Sequence, residues 1–200
     1  DVRKAVTTDF KREGDLIYLL GVTTEGLGGT YLEQVLGKGL GDLPSFDLTE
    51  ARTLYLRLHE VMGRGLVASC HDISDGGLAI AVCESALGGR LGATITLRPS
   101  LLSSQRSIRA SENRTGRLEM ILNLLFGEGP GRFVVSVAEK DRDMFENAFE
   151  GYPCYMIGTV DRGPALRFLW EAEGAVMDLL KVSLEEVEEA WKGFSKEIIA

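Results

Sequence analysis

The stretch Ser69-Cys70-His71-Asp72-Ile73-Ser74-Asp75-Gly76-Gly77-Leu78 decides how this chain is read. Residues 66–70 (LVASC) are a short, mostly apolar run of the kind that forms a buried strand. Residues 78–87 are apolar and rich in Ala, and Gly88-Gly89 follows them, so they read as a buried helix with a glycine stop. Between the two, residues 71–77 read as a polar, glycine-bearing turn. A helix N-terminus offers unpaired backbone N–H groups and the positive end of a dipole. Gly76 and Gly77 would let a bound group approach the backbone. A phosphate suits that geometry, and Asp72 and Asp75 add oxygen ligands of the sort Mg²⁺ takes together with phosphates. The same letters are also explained by Ser74 or Asp75 capping the helix while Asp72 makes a turn.

Outward from this stretch, strands and helices alternate. Residues 16–20 (LIYLL), bounded by glycines, read as a buried strand, and residues 31–36 as one or two helical turns. Asp47 or Thr49 caps a helix to about Gly63, with Leu54, Leu58, Val61 and Met62 on one face. Residues 93–97 read as a strand, 118–126 as a helix, 132–138 as a strand and 141–149 as a helix. Residues 154–160, 165–170 and 175–181 read as strands, and Ser183 opens a last helix through Trp191 with Glu185 and Glu186 in its first turn. The expected fold class is α/β (α+β): one domain over residues 1–200, a mixed β-sheet flanked by helices on both faces. Residues 103–115 lie in a Ser/Arg-rich stretch without apolar period and read as a mobile loop.

Composition narrows the function classes. With 44% apolar and 26% charged residues, the chain is that of a soluble globular domain. No apolar run reaches the roughly 18 residues of a membrane span, and no secretion signal opens the sequence, so a cytoplasmic protein without a membrane partner is expected. The formal net charge of −8 argues against a nucleic-acid partner held by phosphate contacts. Cys70, Cys83 and Cys154 are odd in number and fit no zinc spacing, so they read as reduced core residues. The beginning at Asp1 reads as a cut within a longer polypeptide.

Two further glycine clusters are candidate sites. Gly26-Leu27-Gly28-Gly29-Thr30 lies between a strand and a short helix, where the amides around Gly28 and Gly29 could cradle an anion or make a tight turn. Phe126-Gly127-Glu128-Gly129-Pro130-Gly131-Arg132 lies between a helix and a strand; Glu128 could bind a metal or a ribose hydroxyl, and Arg132 a phosphate. No Walker loop or dinucleotide fingerprint is present. His59 reads as a helix-surface or packing residue. His71 could serve as a general acid or base, or hydrogen-bond to backbone at a strand end.

Taken together, HDISDGGLAIAVCESA, the preceding LGGTYLEQ and the following LFGEGPGRFVVSV resemble the aminoimidazole-ribonucleotide-synthetase-related superfamily. Within it they are most similar to the last C-terminal-type domain of the phosphoribosylformylglycinamidine synthases, the purine-biosynthesis ligases, along nearly the whole chain. The resemblance implies a parent enzyme that converts formylglycinamide ribonucleotide, ATP and glutamine-derived ammonia to formylglycinamidine ribonucleotide. Its ammonia would come from a glutaminase subunit or domain, and residues 1–13 would join this unit to the preceding synthetase domains. By the same resemblance Asp72 would bind Mg²⁺, Ser74 would contact ATP or ADP, and Asp75, Gly76 and Gly77 would shape the nucleotide loop. Glu128 would match a substrate-contacting Glu; Gly28, Gly29 and Arg132 stay candidate substrate or phosphate contacts from the reading of the residues alone. Members usually follow that Glu with Ser-Gln or a similar pair, whereas Gly129-Pro130 stands here and offers no polar side chain. The family's catalytic histidine lies in other domains, so the isolated chain is expected to be inactive. The rival readings are a stand-alone nucleotide- or protein-binding module and a related synthetase or kinase domain.

Overall fold

A computed structural model describes residues 2–103 and 114–199. Its centre is β1 (Leu16–Leu20), whose five side chains are all buried. Successive strand residues point to opposite faces, so Ile17 and Leu19 enter one core while Leu16, Tyr18 and Leu20 enter another. That explains an unbroken apolar run in place of an alternating one.

The other strands are β2 (Ser69–Asp72), β3 (Gly92–Leu97), β4 (Phe133–Val137), β5 (Cys154–Asp161), β6 (Ala165–Ala172) and β7 (Ala175–Ser183). They form one seven-stranded sheet in the order β2-β4-β1-β5-β3-β6-β7. β3 and β6 pair in parallel and the other neighbours are antiparallel, so the sheet is mixed.

Among the described residues the α-helices are α1 (Tyr31–Leu36), α2 (Leu48–Gly63), α3 (Gly77–Gly89), α4 (Arg114–Phe126), α5 (Arg142–Ala148) and α6 (Leu184–Ile199). Leu78 and Val82 of α3, Met120 and Leu124 of α4 and Leu184 of α6 share a core with Ile17, Ile95 and Phe168. Leu54, Leu58 and Val61 of α2 and Phe145 of α5 share the other with Tyr18 and Val135. Helices therefore cover both faces, as expected. Asp47 caps α2, its carboxylate accepting from the N–H groups of Thr49 and Glu50. Ser183 and Glu186 form a reciprocal capping box at α6. Among the described residues no helix is long and apolar enough to cross a membrane.

Several boundaries differ from the sequence reading, most by one or two residues and a few by more. The strand expected over 66–70 is instead β2, displaced toward its C-terminus, so His71 and Asp72 are ladder residues opposite Val134 and Phe133. Leu66 and Val67 are buried against the α2 core, which accounts for their apolar character without strand pairing. α4 begins at Arg114, before Leu118, because its first turn carries no apolar face to announce it. Of the loop expected over 103–115, residues 104–113 lie outside the described residues, and Arg114 and Thr115 belong to α4. α6 continues past Trp191 to Ile199. The expected join also packs on this unit: Phe10 is buried, its N–H donates to Ser85 O, and Thr7 O accepts from Cys70 N–H.

Candidate functional site

The three glycine-rich segments meet at one carboxylate. Glu128 follows α4, and its Oε1 accepts from Gly76 N–H at 2.7 Å and from Tyr31 N–H at 2.8 Å. It thus holds the amide at the N-cap of α3 and the first amide of α1 together. A carboxylate at these positions satisfies orphan donors and complements the helix dipoles. Asn123, buried on α4, makes a parallel tie: its Oδ1 accepts from Gly26 N–H at 2.8 Å and its Nδ2 donates to Glu119 O. Sequence reasoning missed Asn123, since nothing distinguishes a buried tether from any other helical Asn until the loop that it holds is placed.

The turn before α3 is open to solvent. Gly76 is the N-cap, with no side-chain cap bond, so neither Ser74 nor Asp75 caps the helix. Ser74 and Asp75 are exposed, and the Asp72 side chain is 65% exposed. Gly76 and Gly77 both have positive φ, which favours glycine on steric grounds. The packing of the chain on itself is a second reason for glycine: a Cβ at Gly77 would sit 2.6 Å from Leu125 O.

The turn before α1 is closed by its own side chains. Thr30 caps α1 and accepts from Glu33 N–H, while the Glu33 carboxylate accepts from Gly29 N–H and Leu40 N–H, each at 2.7 Å. The N–H groups of Leu40 and Gly29 hold the Glu33 carboxyl below its usual range. Gly28 is buried and donates to Asp42 O, and a side chain there would collide with the Gly41 carbonyl. In this conformation the amides of Gly28 and Gly29 serve the chain itself.

Arg132 also departs from its expected place. It is 2% exposed. Its guanidinium donates to Gly129 O at 3.1 Å, to Thr23 Oγ1 at 3.1 Å and to Gly127 O. The sequence reading put this fork on a phosphate, but in this conformation it is turned inward onto loop acceptors. His71 lies elsewhere again. Its Nδ1 donates to Asp72 O, its Nε2 lies 2.8 Å from Glu84 Oε2, and it lines a groove with Thr8, Arg90 and Trp191. Of the two roles read for His71, hydrogen bonding to backbone at a strand end is the one observed.

Burial pushes the thiols up, Cys70 and Cys154 to about 12 and Cys83 to about 11. None is poised as a nucleophile. Among the described residues no group of three or more His, Cys, Asp or Glu could hold a metal. A cation at Asp72 or Asp75 would therefore need most of its ligands from phosphate and water, which Mg²⁺ accepts. Beside the Glu128 loop lies a cavity of about 510 Å³ lined by Thr24, Phe46, Glu50, Leu54, Pro130 and Tyr152, among others, with no Lys, Arg or His in its wall.

The family model described as AIR synthase related protein, C-terminal domain, matches residues 12–171. The chain belongs to that family. Solved structures share the AIR-synthase-related fold. Thermotoga maritima PurL complexed with FGAR superposes with a TM-score of 0.70 at 17% identity, covering 92% of this chain and 29% of that one. PurL complexed with ATP gives 0.65 at 18% identity, with 92% and 27% covered. The hydrogenase maturation protein HypE in complex with ATP gives 0.58 at 20% identity, with 94% and 56% covered. The chain thus spans less than a third of the length of the PurL chains that it matches. The family match covers all three segments joined at Glu128.

Proposed function

We propose that this chain is the C-terminal domain of the synthetase part of phosphoribosylformylglycinamidine synthase. In that parent ATP phosphorylates the amide oxygen of formylglycinamide ribonucleotide, and ammonia from a glutaminase subunit or domain displaces the phosphate. The observation that carries the reading is the convergence of the three family-like segments on Glu128. The PurL complexes with FGAR, ATP and ADP support it as proteins of the same fold. In this reading Ser74, Asp75, Gly76 and Gly77 form the nucleotide-facing turn and Asp72 gives one oxygen to a phosphate-bound Mg²⁺. Glu128 faces the ribonucleotide, and the enzyme works in the cytoplasm. The exposure of Asp72, Ser74 and Asp75 agrees with such a role, since those side chains are not tied up in capping α3.

The test is amidine formation by the full-length polypeptide that contains this chain, with ammonia, ATP and Mg²⁺ supplied. Glu128→Ala should lower turnover at least 100-fold, and the 200 residues alone should form no product. Undiminished turnover in the variant, or product from the isolated chain, would overturn the reading. The fold shared with HypE favours a second reading, a different ATP-using synthetase of this family. That reading gains if the parent hydrolyses ATP without any dependence on formylglycinamide ribonucleotide.

A further inference from the structure

We propose that Arg132 is the positioning residue of this site, locking the three glycine-rich segments into one geometry so that Glu128 reaches both Gly76 and Tyr31.

Arg132 ties its own segment to the chain just before the Gly26–Thr30 turn through its side chain and to the turn before α3 through its backbone. Its side chain bonds Gly127 and Gly129 on either side of Glu128. The same fork bonds Thr23, which leads into the turn before α1. Its backbone carbonyl accepts from Ile73 N–H at 3.0 Å, in the turn before α3. Burying a cation without a counter-charge is costly, and here the guanidinium is pulled down to about 10 by burial, with no neighbouring charge among the described residues offsetting it. The compensation is geometric. A planar fork with five N–H donors can bond acceptors on two separate loops at once. A lysine ammonium is a single point charge and cannot span the same set. The packing around the fork is close: a side chain at Gly21 would come within 3.2 Å of the Arg132 Cγ. The ligand-binding consequence rests on the proposed function; the geometric one does not.

The experiment is residue-resolved amide exchange on Arg132→Lys, paired with calorimetric titration of ADP and Mg²⁺ into the full-length polypeptide. Exchange at Gly76 and Tyr31 should rise at least tenfold, while Ile17 and Leu19 in β1 stay within twofold. A merely structural role would move all of these together. ADP affinity should fall at least tenfold. If Arg132→Lys does not fold, Thr23→Val decides, since it removes one acceptor while keeping the side-chain shape. It should speed Tyr31 exchange about threefold with β1 unchanged. Unchanged exchange at Gly76 and Tyr31 in a folded Arg132→Lys, or unchanged Tyr31 exchange in Thr23→Val, would overturn the proposal. A wild-type polypeptide that binds no ADP would count against the proposed function, while the exchange data would still decide the role of Arg132.

Discussion

The turns before α1 and α3 look alike as sequence, each a glycine pair leading into a helix, yet they are finished differently. The turn before α1 is sealed by its own side chains, with Thr30 and Glu33 taking its amides. The turn before α3 has no side-chain cap and leaves Ser74 and Asp75 in solvent. Glu128 reaches both. A glycine cluster at a helix N-terminus is therefore ambiguous by itself. What separates the two turns is how many of their donors side chains have claimed: Thr30, Glu33 and Glu128 take those of the first, whereas Glu128 takes only Gly76 N–H at the second.

The comparison can be broken most severely through Gly77. Gly77→Ala combines a positive φ with a Cβ 2.6 Å from Leu125 O. Backbone strain and overpacking each cost about 1–3 kcal/mol, so a loss of about 3 kcal/mol is expected in urea unfolding. A loss under about 1 kcal/mol would mean that the turn is softer than its contacts imply.

Removing the shared carboxylate should come next. Glu128→Ala strands two N–H groups that bond to a charged acceptor. It should cost about 2 kcal/mol by the same measurement and speed amide exchange at both turns. Exchange that changes at only one turn would show that the bridge is not shared.

Glu33→Gln should loosen the first turn alone, with faster exchange at Gly29 and Leu40 and none of the change at Gly76. The sign of the pH effect follows from the lowered carboxyl of Glu33. Its contribution is present above the unfolded carboxyl range and is lost as pH falls through the lower folded value. An acid titration of wild type and Glu33→Gln should therefore converge only once pH has fallen below the lowered folded value, where the carboxylate is protonated in both states.

The smallest effects should come from the exposed side chains of the second turn. Ser74→Ala and Asp72→Asn should each stay within about 0.5 kcal/mol of wild-type stability, as exposed substitutions do. A loss of about 1 kcal/mol for Ser74→Ala would instead mark it as a helix cap. In the proposed function Asp72→Asn weakens binding of the nucleotide with Mg²⁺ while leaving unfolding unchanged. Calorimetry showing equal affinity would separate Asp72 from the metal.

Much of the fold was legible because apolar period and capping chemistry are local signals. The LIYLL run marked the central strand, Asp47 and Thr49 marked the start of α2 without deciding between them, and Ser183 with its following acids marked α6. The misplaced strand is instructive. Leu66 and Val67 are apolar because they fill the core beside α2, whereas membership of β2 is settled by pairing with β4, which begins at Ser69. Of the candidate site, the three segments and Glu128 were visible in the letters. The inward turn of Arg132, the tether at Asn123 and the distance of His71 from the cluster were not. Each depends on which acceptor another segment brings near.

The amino-acid sequence by itself determined the mixed sheet between two helical layers, the places where glycine is needed and the family resemblance, because these follow from side-chain periodicity, backbone sterics and local spacing. Only the tertiary structure decided which amides are already satisfied, where a guanidinium bonded to neutral acceptors can be buried, and that one carboxylate serves two helices. Hydrogen-bond satisfaction in a folded chain is a property of pairs, and here the partners lie far apart along the chain: Tyr31 and Gly76 with Glu128, Thr23 with Arg132.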